Sequence, residues 1–137
     1  MLSTPGRYAV AFVLRGADVD PVLVTWQLGL QPTFSAPPIR SLRSRDGTKY
    51  RAHFDGIWAF STARYVDMPD VRAHLAYLLE QLLPHADRLR ELAATGRAHV
   101  DVPYDAALGQ TPSLDQALTR MIGQIGAEIH FAPVYFR

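Results

Sequence analysis

A chain of 137 residues, 48% hydrophobic and 20% charged, can bury one hydrophobic core, so we expect a single domain over residues 1–137 and exclude a disordered chain. The formal net charge of +1 does not by itself indicate binding to nucleic acid or to a membrane surface. The absence of Cys excludes disulfides, thiolate catalysis and Cys-ligated metal centres. The start of the chain lacks a signal-peptide layout, and no apolar stretch reaches the ~20 residues that span a bilayer, so a soluble, cytoplasmic protein is expected.

The first predicted elements are a buried strand and a short helix. Residues 8–14, YAVAFVL, form an apolar run ended by RGAD, which is typical of a central strand buried on both faces. In the helix that follows, Asp20 is placed to cap the N-terminus and Gly29 to take the left-handed position at the C-terminus. Three apolar residues of this helix, Val22, Leu23 and Trp26, are expected to share one face.

Residues 31–48 form the longest stretch without a periodic pattern, and they are rich in Pro and Ser. Irregular segments of this length tend to be functional or mobile. Four arginines lie in this stretch or just after it, at Arg40, Arg43, Arg45 and Arg51. Guanidinium groups can bind a phosphate or an acidic protein surface, whereas an ordinary solvated loop is the simpler alternative. Nucleic acid is not expected, because neither a Gly-rich phosphate loop nor aromatic stacking pairs accompany the arginines.

The stretch FDGIWAFST places Asp55-Gly56 between two alternating runs, which predicts a hairpin, with a bulge in one long strand as the alternative. Trp58 and Phe60 then share a face. A Trp with apolar neighbours in mid-strand is more often packed in a core than part of a binding site, so we expect Trp58 to pack against a long helix.

The longest helical signal follows, and within it Pro84 should either kink the helix or start a second one. Val71 and the leucines from Leu75 onwards recur at helical spacing, and Asp67 is placed to cap the start of this signal. Residues 97–104 alternate as a half-solvated strand. A capping box from Ser113 to Gln116 predicts another helix. A last strand follows, in which Pro133 indicates either an edge strand or the end of a strand.

This order of elements predicts an α+β fold with helices packed on one face of a mostly antiparallel sheet. A ferredoxin-like plait with an additional helix is the simplest arrangement of this kind.

A pattern of His and carboxylate residues two positions apart occurs three times on the outward faces of predicted strands. If these strands are neighbours, the six side chains converge and offer the ligand types of zinc or non-haem iron and the groups for acid–base chemistry. A solvated sheet face with weak cross-strand ion pairs is the alternative. The candidate ligand or metal residues are His53 and Asp55, His99 and Asp101, and Glu128 and His130.

Several motifs together resemble a known family. They are DVDP after the opening strand, LGLQPT, GIWAFST, the alternating AHVDV and the ending SLDQALTRMIGQIGAEIHF. In this order and spacing the chain resembles, over residues 8–136, the bacterial family called domain of unknown function 4279. The closing Leu-Gly-Leu of that family reads QIGAEI here. The resemblance assigns no catalytic residue, but it implies a relation to immunity or partner-binding proteins of toxin systems.

The sequence therefore predicts a non-catalytic binding module that recognises a protein partner with an acidic surface. The alternative is a metal- or small-ligand-binding protein, or an enzyme, that uses the His/carboxylate residues. No catalytic residue and no cofactor is assigned, because the common hydrolase and nucleotide-binding motifs are absent from the sequence. A homodimer formed through Ala9 and Ala11 or through a sheet edge is compatible with either function.

Overall fold

The computed structural model describes residues 7–39, 42–43, 49–50, 54–109 and 112–135, and the backbone alone for 42–43 and 49–50. The strands of the described residues are β1 (Ala11–Gly16), β2 (Phe34–Ala36), β3 (Leu42–Arg43), β4 (Lys49–Tyr50), β5 (Gly56–Ser61), β6 (Arg97–Asp105) and β7 (Glu128–Val134). Their α-helices are α1 (Pro21–Leu28), α2 (Val71–Leu82), α3 (Ala86–Ala94) and α4 (Gln116–Gln124). None of these helices combines the length and the apolar character needed to cross a membrane.

Five strands form one sheet in the order β2-β5-β1-β6-β7, while β3 and β4 pair separately. The pairs in the larger sheet are antiparallel except β6–β7, which is parallel. The α+β class and the mostly antiparallel sheet are thus confirmed, and β1 is central as its apolar sequence predicts. A parallel pair needs a crossover connection, and α4 lies between β6 and β7 in the chain. The ferredoxin-like plait and the packing of helices on one face are not confirmed.

The core lies against one face of the larger sheet, here called the core face. Alternate residues of the central strands are buried there, including Phe12, Leu14, Trp58 and Val100. They form one cluster with buried residues of the helices, among them the leucines of α2. Because strand side chains alternate, the intervening residues point to the opposite face, here called the second face. The second face carries the polar side chains of β6 and β7.

Trp58 belongs to the core, as predicted. Its side chain is completely buried, and the indole Nε1–H donates a hydrogen bond to Oγ1 of Thr25 on α1 at 3.0 Å. The ring of Phe12 meets it edge-on, with centroids 6.2 Å apart. Trp58 therefore ties β5 to β1 and α1 and does not mark a binding site.

The predicted hairpin at Asp55-Gly56 is wrong. Gly56 begins β5 and pairs with Gly16, whereas Phe54 forms an isolated bridge with Ile39. Close backbone packing explains the glycine: a Cβ added at Gly56 would lie 1.8 Å from the carbonyl oxygen of Val19. Asp55-Gly56 therefore does not form a turn here, and its glycine allows the backbone of β5 to approach the backbone at Val19.

The helix boundaries differ in part from the prediction. Asp20 caps α1 and Gly29 is left-handed with φ of 67°, both as predicted. Asp70 caps α2 in place of Asp67, and Asp115 caps α4 in place of Ser113. A 3₁₀ turn containing Pro84 separates α2 from α3, as the proline predicts. Within the stretch predicted to be irregular, β2 and β3 form short strands, and β4 begins directly after it.

The face of α1 that packs in the core is opposite to the face that Val22, Leu23 and Trp26 share. The three residues that share one face of this helix, Val22, Leu23 and Trp26, are exposed, whereas Pro21, Val24 and Leu28 are buried. Since α1 is apolar on both sides, its sequence did not indicate which side packs against the sheet.

Candidate functional site

The candidate site lies where β6 and β7 run side by side. Their parallel register places His99 opposite Glu128, and Asp101 opposite His130. Cross-strand partners point to the same side of a sheet, so two of the three predicted His/carboxylate pairs come together on the second face. We call these four residues the His/carboxylate cluster.

Three members of the cluster are close enough to share a metal ion. One ligand atom each from His99, Asp101 and His130 lies within 4.8 Å of the other two. Nε2 of His99 is 3.3 Å from an oxygen of Asp101, and Nε2 of His130 is 3.4 Å from an oxygen of Glu128. Two imidazoles and one carboxylate form a donor set that suits zinc with an open coordination position, or non-haem ferrous iron.

His99 is the most enclosed member of the cluster, with a side chain 15% exposed, whereas that of His130 is 52% exposed. Burial lowers the pKa of His99 below its ordinary value of 6.5. The carboxylate of Asp101 raises the pKa in part, and the charges of His130 and Arg15 lower it. The net direction favours a neutral imidazole, which is the form that binds metal.

The two imidazole rings stack, with centroids 4.3 Å apart and planes inclined by 12°. Nitrogen lone pairs lie in the ring plane, so two parallel rings do not aim their lone pairs at one point between them. Ligation of one ion by both rings therefore requires one ring to turn. His130 has the freedom to do so because it is half exposed and lies on the edge strand β7.

A pocket of about 680 Å³ adjoins the cluster at the N-terminal ends of β6 and β7. His99, Glu128 and His130 line it together with Arg15 of β1 and Arg97 of β6. Neither arginine is among the site residues predicted from the sequence. Their alternation with buried neighbours was the signal that could have placed them on the second face.

The remaining predicted site residues lie elsewhere. Asp55 precedes β5, which is separated from β6 by β1, and it lines a different pocket beside Phe54 and Ile57. Its predicted partner His53 lies outside the described residues. The same holds for three of the candidate partner-binding arginines and for the side chain of the fourth. They are Arg40, Arg45 and Arg51, and the side chain of Arg43 in β3.

His74 is buried but has a structural role. Its Nδ1 lies 2.6 Å from Oγ1 of Thr62, and its Nε2 lies 2.9 Å from the carbonyl oxygen of Met68. Both ring nitrogens are therefore satisfied within the core. His85 lies in the 3₁₀ turn between α2 and α3 and is not part of the cluster.

Comparison with known proteins identifies the family but no characterised relative. Neither the search of curated proteins nor the search of solved structures finds a match to this chain. A family model described as Domain of unknown function (DUF4279) matches residues 6–135, which is nearly the whole chain. The match covers nearly the same residues as the motifs that resemble this family. The chain therefore belongs to the DUF4279 family.

Proposed function

We propose that the protein binds a divalent transition metal, zinc or ferrous iron, through His99, Asp101 and His130. The observation that carries the proposal is the mutual approach of their ligand atoms to within 4.8 Å across two adjacent strands. Three protein ligands leave coordination positions open for water or a small ligand, as in catalytic rather than structural zinc sites. In this proposal a small ligand binds to the open positions of the metal, and the same residues could also carry out acid–base chemistry on it.

The surroundings of the three ligands support metal binding over a simple solvated ion-pair face. The enclosed His99 stays neutral more readily than a free imidazole, because burial lowers its pKa. Glu128 contacts His130 and can either orient that ring or serve as a fourth ligand. An exposed ion pair on a sheet needs neither a partly buried imidazole nor a second imidazole stacked on it.

Calorimetric titration of Zn²⁺ into metal-free protein tests the proposal. We expect one binding site, an affinity loss of more than about 100-fold in His99→Ala and His130→Ala, and a smaller loss of roughly tenfold in Glu128→Gln. His85→Ala is the matched control and should bind as the wild type does. Unchanged binding in both His99→Ala and His130→Ala would assign the zinc to other residues and refute the proposal.

A second candidate is recognition of a protein partner in the bacterial cytoplasm, of the immunity-protein kind. The exposed face of α1 favours it: Trp26 is 80% and Val22 77% exposed, and Leu23 lies beside them. Contiguous exposed apolar side chains mark protein–protein sites more often than isolated ones do. In this proposal the partner has an apolar contact surface for α1 and acidic residues for the arginines of residues 40–51.

The second candidate is tested by reconstitution with the purified partner. A protein captured from host lysate would be produced separately and mixed with wild type, Trp26→Ser and a double charge reversal at Arg43 and Arg45. We expect Trp26→Ser to weaken binding at every salt concentration and the charge reversal to remove its salt dependence. Binding that neither variant changes would contradict both contact surfaces.

A further inference from the structure

Two arginines face each other beside the His/carboxylate cluster. Arg15 of β1 and Arg97 of β6 are register partners in the antiparallel pair, so their side chains leave the same face of the sheet. Directly opposed residues have Cβ atoms about 5 Å apart, and like charges in this arrangement destabilise a sheet. Both arginines are exposed. None of the salt bridges of the described residues involves either of them.

The arginine pair opens onto the same space as the proposed metal ligands. Arg15, Arg97, His99 and His130 all line the pocket of about 680 Å³. Glu128 is the carboxylate of that lining, and it lies against His130. The end of the pocket formed by β1 and the start of β6 is therefore cationic. An oxyanion between two guanidinium groups would relieve their repulsion and form charge-assisted hydrogen bonds.

Arg15 also borders a second pocket of about 440 Å³ on the other side of β1. Its lining is mostly apolar, and the residues are Ala36, Pro37, Ile39, Phe54, Asp55 and Ile57. Phe54 and Ile39 are exposed large apolar side chains. Arg15 thus stands between a polar pocket with metal-binding groups and an apolar pocket.

We propose that Arg15 and Arg97 form the head-group subsite for an organic anion, a carboxylate or phosphate monoester whose apolar part occupies the pocket of Ile39, Phe54 and Ile57. The inference deepens the proposed function, and it rests on that function only in placing the anion next to a metal. The two guanidinium groups select a planar or tetrahedral oxyanion, since Arg binds both bidentately. The apolar pocket selects anions that carry an aromatic or aliphatic group.

The test uses phenyl phosphate, 4-phenylbutyrate and inorganic phosphate as probes, titrated calorimetrically into metal-free and Zn²⁺-loaded full-length protein. We expect phenyl phosphate or phenylbutyrate to bind more tightly than inorganic phosphate. Arg15→Gln and Arg97→Gln should each weaken binding of the apolar anion roughly tenfold, because each removes a hydrogen-bonding charge. Arg120→Gln, an exposed arginine of α4, is the matched control and should leave binding unchanged.

Two further variants separate the parts of the proposal. Phe54→Ala should lower the affinity for the apolar anions but leave that for inorganic phosphate unchanged. His99→Ala should abolish zinc binding while metal-free anion binding persists, so failure of the metal site and failure of the anion subsite are distinguishable. Wild-type anion binding in both Arg15→Gln and Arg97→Gln, or no binding of any probe to the wild type, would overturn the inference.

Discussion

The imidazole rings of His99 and His130 stack with centroids 4.3 Å apart. The contact depends on the parallel register of β6 and β7, which sets His130 opposite Asp101, one outward position beyond His99. A register shift of one residue would send every outward side chain of β7 to the core face and separate the rings. Because Ile129 and Phe131 of β7 pack against the core, the burial of these alternate residues favours the register on which the candidate site depends.

Removing the charge of Asp101 and removing the charge of Arg15 should shift the pKa of His99 in opposite directions. In metal-free protein, Asp101→Asn should lower the pKa of His99 further because it removes a carboxylate that raises it. Arg15→Gln should raise the pKa because it removes a cation that lowers it. An NMR titration of the imidazole Cε1–H resonances measures both shifts. Shifts of the same sign in the two variants would contradict the electrostatic account.

The burial of His99 also predicts a pH dependence of stability. The folded pKa lies below the ordinary value of 6.5, so between the two the unfolded chain binds more protons than the folded protein. The free energy of unfolding should therefore fall as the pH drops below about 6.5, until the folded pKa is passed. Urea unfolding of wild type and His99→Gln across this range isolates the contribution. Parallel curves for the two proteins would show that His99 does not cause it.

Substitution of His74 should destabilise the fold without affecting metal binding. Because the Met68 carbonyl can only accept, Nε2–H of His74 donates to it, which leaves Nδ1 to accept from the Thr62 hydroxyl. The Val10 amide donates to Thr62 Oγ1 at 3.1 Å. We expect His74→Ala to cost at least about 2 kcal/mol and Thr62→Val about 1–3 kcal/mol, because buried polar groups lose their partners. Denaturant unfolding checks these values. The double variant should lose less stability than the sum of the losses in the two single variants, because both residues belong to one hydrogen-bond network. Strictly additive losses would contradict a shared network.

Two glycines give a matched test of backbone packing. Gly56→Ala should destabilise by more than about 3 kcal/mol, because the new Cβ meets the Val19 carbonyl oxygen at 1.8 Å and the backbone must move. At Gly123 of α4 a Cβ meets nothing within 4 Å, so Gly123→Ala should stabilise by up to about 1 kcal/mol. Thermal unfolding of both variants measures the contrast. Equal effects would refute the close approach at Gly56.

The two tryptophans should differ in accessibility to a quencher. Trp58 is completely buried and Trp26 is 80% exposed, so acrylamide should quench Trp26 strongly and Trp58 weakly. Fluorescence of Trp26→Phe and Trp58→Phe reports each ring alone. Strong protection of Trp26 in the free protein would indicate that α1 is covered, as in a homodimer, and light scattering would then give the oligomeric state.

The alternation of apolar and polar residues was enough to predict which side chains of β6 and β7 share a face. It did not predict that these strands are neighbours, because strand order and register depend on long-range pairing that no local pattern encodes. Asp55 shows the difficulty. The same His-x-Asp spacing occurs there, but Asp55 precedes β5, and β1 lies between β5 and β6.

The helix caps could be predicted from neighbouring residues, whereas the arginine pair depends on strand pairing between distant parts of the chain. Asp20 and Gly29 were predictable because capping depends on adjacent backbone groups. Asp67 and Asp70 both satisfy the local preference for an N-cap, and the structure has α2 begin at Val71, directly after Asp70. Arg15 and Arg97 are far apart in the chain, and only the β1–β6 register brings them together.

The most direct test of the metal site is an NMR spectrum of the imidazole nitrogens of the metal-free protein before and after one equivalent of Zn²⁺. We expect the ring nitrogens of His99 and His130 to shift together and those of His74 and His85 to stay unchanged. The nuclear Overhauser contacts between the stacked rings should weaken as His130 turns. A spectrum in which His99 and His130 are unchanged, or in which His53 or His85 alone responds, would contradict it.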